Sequence, residues 1–213
     1  MRITEILESA KIIPVLEVAK VADAAPLAEA LAAGGLHVVE LTLRSRCALD
    51  AISVMQKAVP GLIVGMGTIR NVDDVKQSVD AGAAFLVSPG ASASLLEAFM
   101  DVGAPVLPGI ATASEAMSTF EAGFRAMKFF PAEPAGGVAY LKFLAGPFPD
   151  IVFCPTGGIN ADRAIDYLAL PNVDCVGGSW VATEKMVSRG EWVAIESNAR
   201  RAVDLIRKHA CAH

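Results

Sequence analysis

The run Ala126-Met127-Lys128-Phe129-Phe130-Pro131 is apolar on both sides of a single lysine and stops at a proline. A short apolar stretch closed by a residue without a backbone N–H reads as a strand buried on both faces. Strands of that kind belong to parallel sheets covered by helices. Lysine is among the residue types least often fully buried. An ammonium taken out of water is costly to hold, and such a group tends to shed its proton. A neutral amine in an apolar site is a nucleophile that can form a Schiff base with a carbonyl. The competing reading is a lysine whose stem packs while its head reaches water. The segment by itself leaves both open.

Outward from this run, strand patterns recur at 12–18, 37–43, 62–65, 85–88, 106–108, 151–155 and 174–178. With 126–129 they begin about every 20 to 25 residues, the length of a compact strand-loop-helix-loop unit. Helical patterns fill the gaps at 23–33, 48–59, 72–81, 92–102, 114–122, 161–169 and 191–209. Asn71 and Asn160 are good N-caps, and Gly34, Gly82, Gly103 and Gly123 are stop signals. A leading helix at 3–8 is placed to cover one end. Eight strands alternating with helices predict an α/β chain folded as one (β/α)8 barrel of the TIM type over 1–213. The last residues, Ala210-Cys211-Ala212-His213, read as a mobile tail. A doubly wound open sheet is the competing fold; it needs a reversal of strand order that sequence does not display.

Composition narrows the function. Hydrophobic residues make up 54% of the 213, with a mean hydropathy of +0.48. That balance suits strands covered on both faces, or apolar contacts between subunits. A net charge of −5 and no basic stripe argue against nucleic acid as a partner. Glu5 and Glu8 interrupt the place where a signal peptide needs its apolar core. No run approaches the roughly 18 apolar residues of a membrane span. Cys47, Cys154, Cys175 and Cys211 lack CxxC spacing, and His37, His209 and His213 stand apart. The pattern predicts a reducing cytoplasm, no metal, no cofactor and chemistry that does not rest on histidine.

In a (β/α)8 barrel the active site lies at the carboxyl ends of the strands. There Glu40, Thr42 and Arg44 share one parity of the second strand pattern and point to one face. They read as a catalytic row toward the barrel mouth, or as an internal Glu40–Arg44 ion pair. Gly157-Gly158 and Gly177-Gly178 follow the last two strand patterns, where this fold often binds phosphate. Glycine lets backbone N–H groups approach an anion, and the hydroxyls of Thr156 and Ser179 are close in sequence. One Gly-Gly pair alone is commonly only a turn; two at these strand ends are a stronger signal.

These segments resemble a known family. Glu40-Leu-Thr-Leu-Arg44, Gly65-Met-Gly-Thr68, Ser88-Pro-Gly90 and Pro108-Gly-Ile110 carry the likeness. Lys128-Phe-Phe-Pro-Ala-Glu133, Phe153-Cys-Pro-Thr-Gly-Gly-Ile159 and Gly177-Gly-Ser-Trp180 complete it. Over about residues 10 to 205 the chain is similar to the bacterial 2-keto-3-deoxy-6-phosphogluconate (KDPG) aldolases, many of which also act on 4-hydroxy-2-oxoglutarate. Met66 stands where that family often has alanine, a packing variation. The resemblance implies a metal-independent class I aldolase, with Lys128 forming the imine and Glu40 moving protons. It implies Arg44 and Thr68 at the carboxylate and carbonyl end, and Pro89 and Phe130 lining the pocket. Ser179 and the glycines at 157, 158, 177 and 178 would take the phosphate. A homotrimer of barrels is the implied assembly, with a phosphorylated keto acid and pyruvate as small-molecule partners. Two rival activities are the C4-epimeric 6-phosphogalactonate aldolase and a non-catalytic phosphosugar-binding barrel; the latter needs no pairing of Lys128 with Glu40.

Overall fold

A computed structural model of the chain describes residues 1–210. It is an α/β fold around a mostly parallel, curled sheet. Helix α1 (Ile3–Ala10) leads into β1 (Ile12–Leu16), and a single 3-10 turn precedes α2 (Ala24–Ala33). Then follow β2 (Val38–Thr42), α3 (Ala48–Ala58), β3 (Ile63–Gly67), α4 (Val72–Asp80), β4 (Leu86–Val87) and α5 (Ala93–Asp101). The fifth strand pattern is split at Pro108 into β5 (Val106–Leu107) and β6 (Gly109–Ile110). After α6 (Ala113–Glu121) come β7 (Ala126–Phe129), α7 (Gly137–Ala145), β8 (Val152–Pro155) and α8 (Ala161–Leu168). The described chain ends with β9 (Val176–Gly178), α9 (Glu184–Ser188) and α10 (Trp192–Ala210). The expected tail lies, apart from Ala210, outside the described residues.

All strand pairs run parallel. One sheet has the order β5-β4-β3-β2-β1-β9, the other β6-β7-β8. Isolated parallel bridges, Phe153↔Val173 and Thr156↔Gly177, link the β8 side to the β9 side. On the opposite side the chain itself passes from one sheet to the other through Pro108.

Strand parity divides the interior. Along β2, Val39 and Leu41 join the large cluster between strands and helices, while Val38 joins a smaller inner cluster. Along β7, Met127 and Phe129 face the helices, while Ala126 lies with Val38 in the inner cluster. That inner cluster also holds Ile13, Phe85, Leu107, Cys154 and Cys175, together with Ile6 and Leu7 of α1. The leading helix therefore plugs the end from which the strands start, as its position in the sequence predicts. The tight turn from α1 into β1 is made at Lys11, with φ 56°.

Asn71 and Asn160 cap α4 and α8, as the sequence indicates. Several boundaries differ from the sequence reading. The first strand stops at Leu16, the third continues to Gly67, and the last begins at Val176. Two helices have no place in the sequence reading. α7 starts behind Gly136 and Gly137, both at positive φ, so its entrance looks like a turn. α9 is only five residues long, too short to show a period.

Ile6 and Leu7 are fully buried. Leu7→Ala is expected to lower the free energy of unfolding by about 2–5 kcal/mol in urea titrations. An unchanged midpoint would show that α1 is not part of the packed core.

Candidate active site

Lys128 and Glu40 meet between the two sheets. Their strands, β7 and β2, are not neighbours, and 88 residues separate them in sequence. Lys128 is 5% exposed and Glu40 4%. The Lys128 Nζ donates to both carboxylate oxygens, 2.9 Å to Oε1 and 3.1 Å to Oε2. The ring of Phe130 lies beside the same nitrogen, 5.5 Å from Nζ to its centroid. This excludes the reading of Lys128 as a surface lysine with its head in water.

Glycine makes the room for this pair. A Cβ on Gly67 would lie 2.1 Å from Glu40 Oε1 and 2.7 Å from its carboxyl carbon. Gly65, the β3 partner of Glu40 in register, lies under the Phe85 ring, 2.3 Å from where its Cβ would be. Gly109 is the register partner of Lys128. It packs so closely on the Ser88–Gly90 backbone that a Cβ would sit 2.4 Å from the Pro89 carbonyl carbon. Ser88, fully buried, accepts a hydrogen bond from the Gly109 N–H at 3.1 Å. Thr68 follows directly at the end of β3 with φ 65°, a rare conformation for a β-branched residue. The glycines of the motifs at the ends of β3 and β5 thus have a steric cause that sequence alone does not display, whereas a Cβ on Gly90, after β4, would meet open space.

The Glu40–Arg44 ion pair is not formed. β2 stops at Thr42, so parity no longer directs Arg44. Its side chain is 53% exposed, and its nearest carboxylate is Glu17 at 4.0 Å, just beyond β1. Thr42, which does keep the inner parity, donates its hydroxyl to the Leu16 carbonyl at 2.9 Å. Arg44 nevertheless faces the same opening as the predicted phosphate loops. A cavity of about 170 Å³ is lined by Thr42, Arg44, Phe130, Thr156, Gly157, Gly158, Gly178 and Ser179, with Val15, Leu16 and Ile159 as its apolar wall. Thr68 and Pro89 do not line it; they sit at the ends of β3 and β4. A larger cleft of about 480 Å³ lies on the outer surface beside α5 and α6. Lys128 and Glu40 line neither space, but the smaller cavity is walled by Phe130, whose ring lies beside Lys128 Nζ, and by Thr42, two residues beyond Glu40 on the same strand; it is therefore the candidate site.

The two Gly-Gly pairs are not equivalent. Gly157 and Gly158 have φ 106° and 79°, a left-handed loop that only glycine enters readily. Gly177 and Gly178 are ordinary in φ and are glycine for lack of space. The missing Cβ of Gly177 leaves room for the Thr156 hydroxyl, and that of Gly178 for the Trp180 ring. Of the second pair, only Gly178 lines the cavity. Sequence reasoning missed Gly67 and Glu17. The Gly65-Met-Gly-Thr68 motif signals the first; the second carries no signal, because its partner is 27 residues away in a loop.

A family model described as "KDPG and KHG aldolase" matches residues 3–198. The chain is 44% identical over 208 residues to the 2-dehydro-3-deoxy-phosphogluconate aldolase of Pseudomonas aeruginosa, covering 98% of this chain and 94% of that protein. It is 45% identical over 199 residues to the KHG/KDPG aldolase of Escherichia coli K12, covering 93% of each. Among solved structures it is similar to the KDPG aldolase of Legionella pneumophila, in which pyruvate was captured at low pH as a covalent carbinolamine intermediate. That likeness has a TM-score of 0.92 at 40% identity and covers 95% of this chain and 98% of that one.

Gly67→Ala is expected to push the Glu40 carboxylate off Lys128. Turnover should fall by about 100-fold or more, the range for loss of a positioned acid–base group, while the fold and the amine persist. Steady-state rates beside circular dichroism test this; a variant with the parental rate would show that Glu40 does not need its present seat.

Proposed function

The chain belongs to the KDPG and KHG aldolase family, and on that premise we propose that it cleaves KDPG to pyruvate and glyceraldehyde 3-phosphate through an imine on Lys128. The same chemistry would split 4-hydroxy-2-oxoglutarate into pyruvate and glyoxylate. The observation that carries the proposal is the buried amine bonded to a buried carboxylate at 2.9 Å.

The pair supplies what the first step needs. Passing one proton along the Nζ–Oε1 hydrogen bond gives a neutral amine and a neutral acid, with no charged group left in the apolar interior. The amine attacks the C2 ketone to give a carbinolamine, which loses water to form a protonated imine. The C3–C4 bond then breaks, and its electrons move to the imine nitrogen. Glu40, ionised at this stage, takes the C4 hydroxyl proton directly or through a water. Glyceraldehyde 3-phosphate leaves behind a pyruvate enamine. Glu40 returns the proton to C3, and water hydrolyses the imine to free pyruvate and Lys128.

Arg44, half exposed at the mouth, is suited to clamp the substrate carboxylate and aim C2 at the amine. Thr68 and Pro89, at the neighbouring strand ends, would complete the carboxylate side, with Phe130 against the imine. The phosphate would lie on the Gly157-Gly158 loop, with Ser179 and Thr156 as hydroxyl donors and Gly178 at the cavity wall. Gly177 would act through Thr156, whose hydroxyl fills the space its absent Cβ leaves.

The architecture we assign is a single (β/α)8 barrel domain, closed where β8 approaches β9. It is supported by the β1–β9 ladder, the two isolated bridges on the β8 side and the continuity of β5 with β6 through Pro108. A homotrimer in the cytoplasm is the expected assembly and compartment. Large apolar side chains on the outer helices, among them Met100, Met117 and Val72, are consistent with subunit contacts.

Incubation with pyruvate and borohydride, followed by intact mass, should show one reduced adduct per chain. Lys128→Ala should show none; full labelling of that variant would sink the assignment. Glu40→Gln should keep the adduct while turnover drops about 100- to 10,000-fold. Ser179→Ala removes one hydrogen bond to a charged group, worth about 1.5–3 kcal/mol. It should raise KM for KDPG about tenfold or more and leave 4-hydroxy-2-oxoglutarate unaffected.

A further inference from the structure

Glu133 lies five residues beyond Lys128, at the far end of the same motif, and the mechanism does not use it. Its backbone and side chain nevertheless act on the loop assigned to phosphate. Past the end of β7 the chain stays bonded to the segment after β8. Thr156 N–H donates to the Phe129 carbonyl at 2.9 Å, Ala132 N–H to Thr156 at 2.8 Å, and Glu133 N–H to Gly157 at 3.1 Å. The stem of Glu133 lies over Gly158, where a Cβ would be 2.8 Å from Glu133 Cβ and 2.9 Å from its Cγ.

The carboxylate then reaches α8, the helix that the loop leads into. Its Oε1 accepts a hydrogen bond from the Tyr167 hydroxyl at 2.5 Å, and its Oε2 pairs with Arg163 at 3.1 Å. Arg163 and Tyr167 are four residues apart on α8, so they present to one face. The Tyr167 side chain is fully buried. Burial, with the Glu133 carboxylate beside it, holds the phenol's pKa well above the usual tyrosine range, so it stays a donor. Gly137 closes the space, since a Cβ there would sit 3.2 Å from the Tyr167 oxygen. Arg163 is 47% exposed and also approaches Asp166 at 3.9 Å.

An apolar residue could pack on Gly158 equally well. A carboxylate near an anion seat repels the anion unless it is neutralised. Its presence calls for a reason, and the two bonds to α8 supply one. We propose that Glu133, Arg163 and Tyr167 form a charge-balanced brace that fixes the Gly157-Gly158 loop. The brace makes them positioning residues that set the preference for phosphorylated over unphosphorylated substrates. Glu133 ties the loop down, and Arg163 cancels the charge that the tie brings. The inference rests on the proposed seating of phosphate on that loop.

The experiment measures kcat and KM for KDPG and for 4-hydroxy-2-oxoglutarate in Arg163→Gln, Arg163→Lys, Tyr167→Phe, and Glu133→Gln combined with Arg163→Gln. Pyruvate adduct formation and thermal melting are followed in each variant. Arg163→Gln exposes the Glu133 charge and should raise KM for KDPG about tenfold, with kcat and KM for 4-hydroxy-2-oxoglutarate unchanged. The double variant, with neither charge, should recover most of that loss, and Arg163→Lys should keep the parental KM. Tyr167→Phe should raise KM for KDPG selectively while still forming the pyruvate adduct. Equal losses on both substrates, or a double variant no better than Arg163→Gln, would overturn the brace. Ser179→Ala run alongside separates the two readings. A selective loss there but not in Arg163→Gln overturns the brace and leaves the phosphate seat standing; no selective loss in either overturns both.

Discussion

An ammonium and a carboxylate held against each other in an apolar interior are the constraint around which this structure is arranged. Lys128 and Glu40 are each about 95% removed from solvent. Charges so placed lose their hydration, and their mutual attraction commonly does no more than offset that loss. Replacing such a pair by apolar residues of similar volume is often neutral or stabilising. Stability therefore does not explain why a chain that is 54% hydrophobic keeps two ions at this point. The proposed reactivity does: the partner that makes the ammonium tolerable is also a group within hydrogen-bond reach of its proton.

Holding long polar side chains in a narrow interior requires volume, and glycine provides it. Gly67 vacates the place of the Glu40 carboxylate, and Gly65 lets Phe85 lie beside it. Gly109 allows the Ser88–Gly90 backbone to close against the strand next to Lys128. At the other end of the strands α1 inserts Ile6 and Leu7 among Ile13, Val38 and Ala126. The interior thus has an apolar, sealed end and a polar, open end. The two buried ionisable side chains stand one inner position above the seal, since Val38 precedes Glu40 and Ala126 precedes Lys128 by two residues.

Much of this arrangement is legible in the sequence, because strands obey a period of two. Parity places Glu40 and Thr42 together on the inner face and sends Val39 and Leu41 to the helices. The same rule excludes nothing at Arg44, which lies past the last residue of β2: its side chain lines the cavity beside Thr42, but no ion pair to Glu40 forms, and its nearest carboxylate is Glu17 at 4.0 Å. Periodicity carries no information once the ladder ends. The glycine pairs show a second limit. Sequence identifies Gly157-Gly158 and Gly177-Gly178 as special but cannot say whether the cause is a left-handed φ or a lack of space. The first pair has the former and the second the latter. α7 is hidden for a related reason, since two glycines at its entrance carry the signature of a turn and mask the helix behind them.

The distribution of the site between strands and loops follows from these differences. The buried Lys128–Glu40 pair stands on β7 and β2, each strand hydrogen-bonded to a strand on both sides. The distal end of the cavity is built from loops after β8 and β9, which have no ladder of their own. A loop rich in glycine has many conformations to lose on becoming a fixed seat. Backbone bonds from Ala132 and Glu133 restrict Thr156 and Gly157, but they do not reach Gly158 or the start of α8. The Glu133 side chain covers that remaining interval, with its stem on Gly158 and its carboxylate on Arg163 and Tyr167. One continuous segment, Lys128 to Glu133, therefore carries the amine at one end and the anchor of the distal loop at the other. On the proposed seating of substrate, the amine and the contacts that hold the distal loop thus originate from one short stretch of chain.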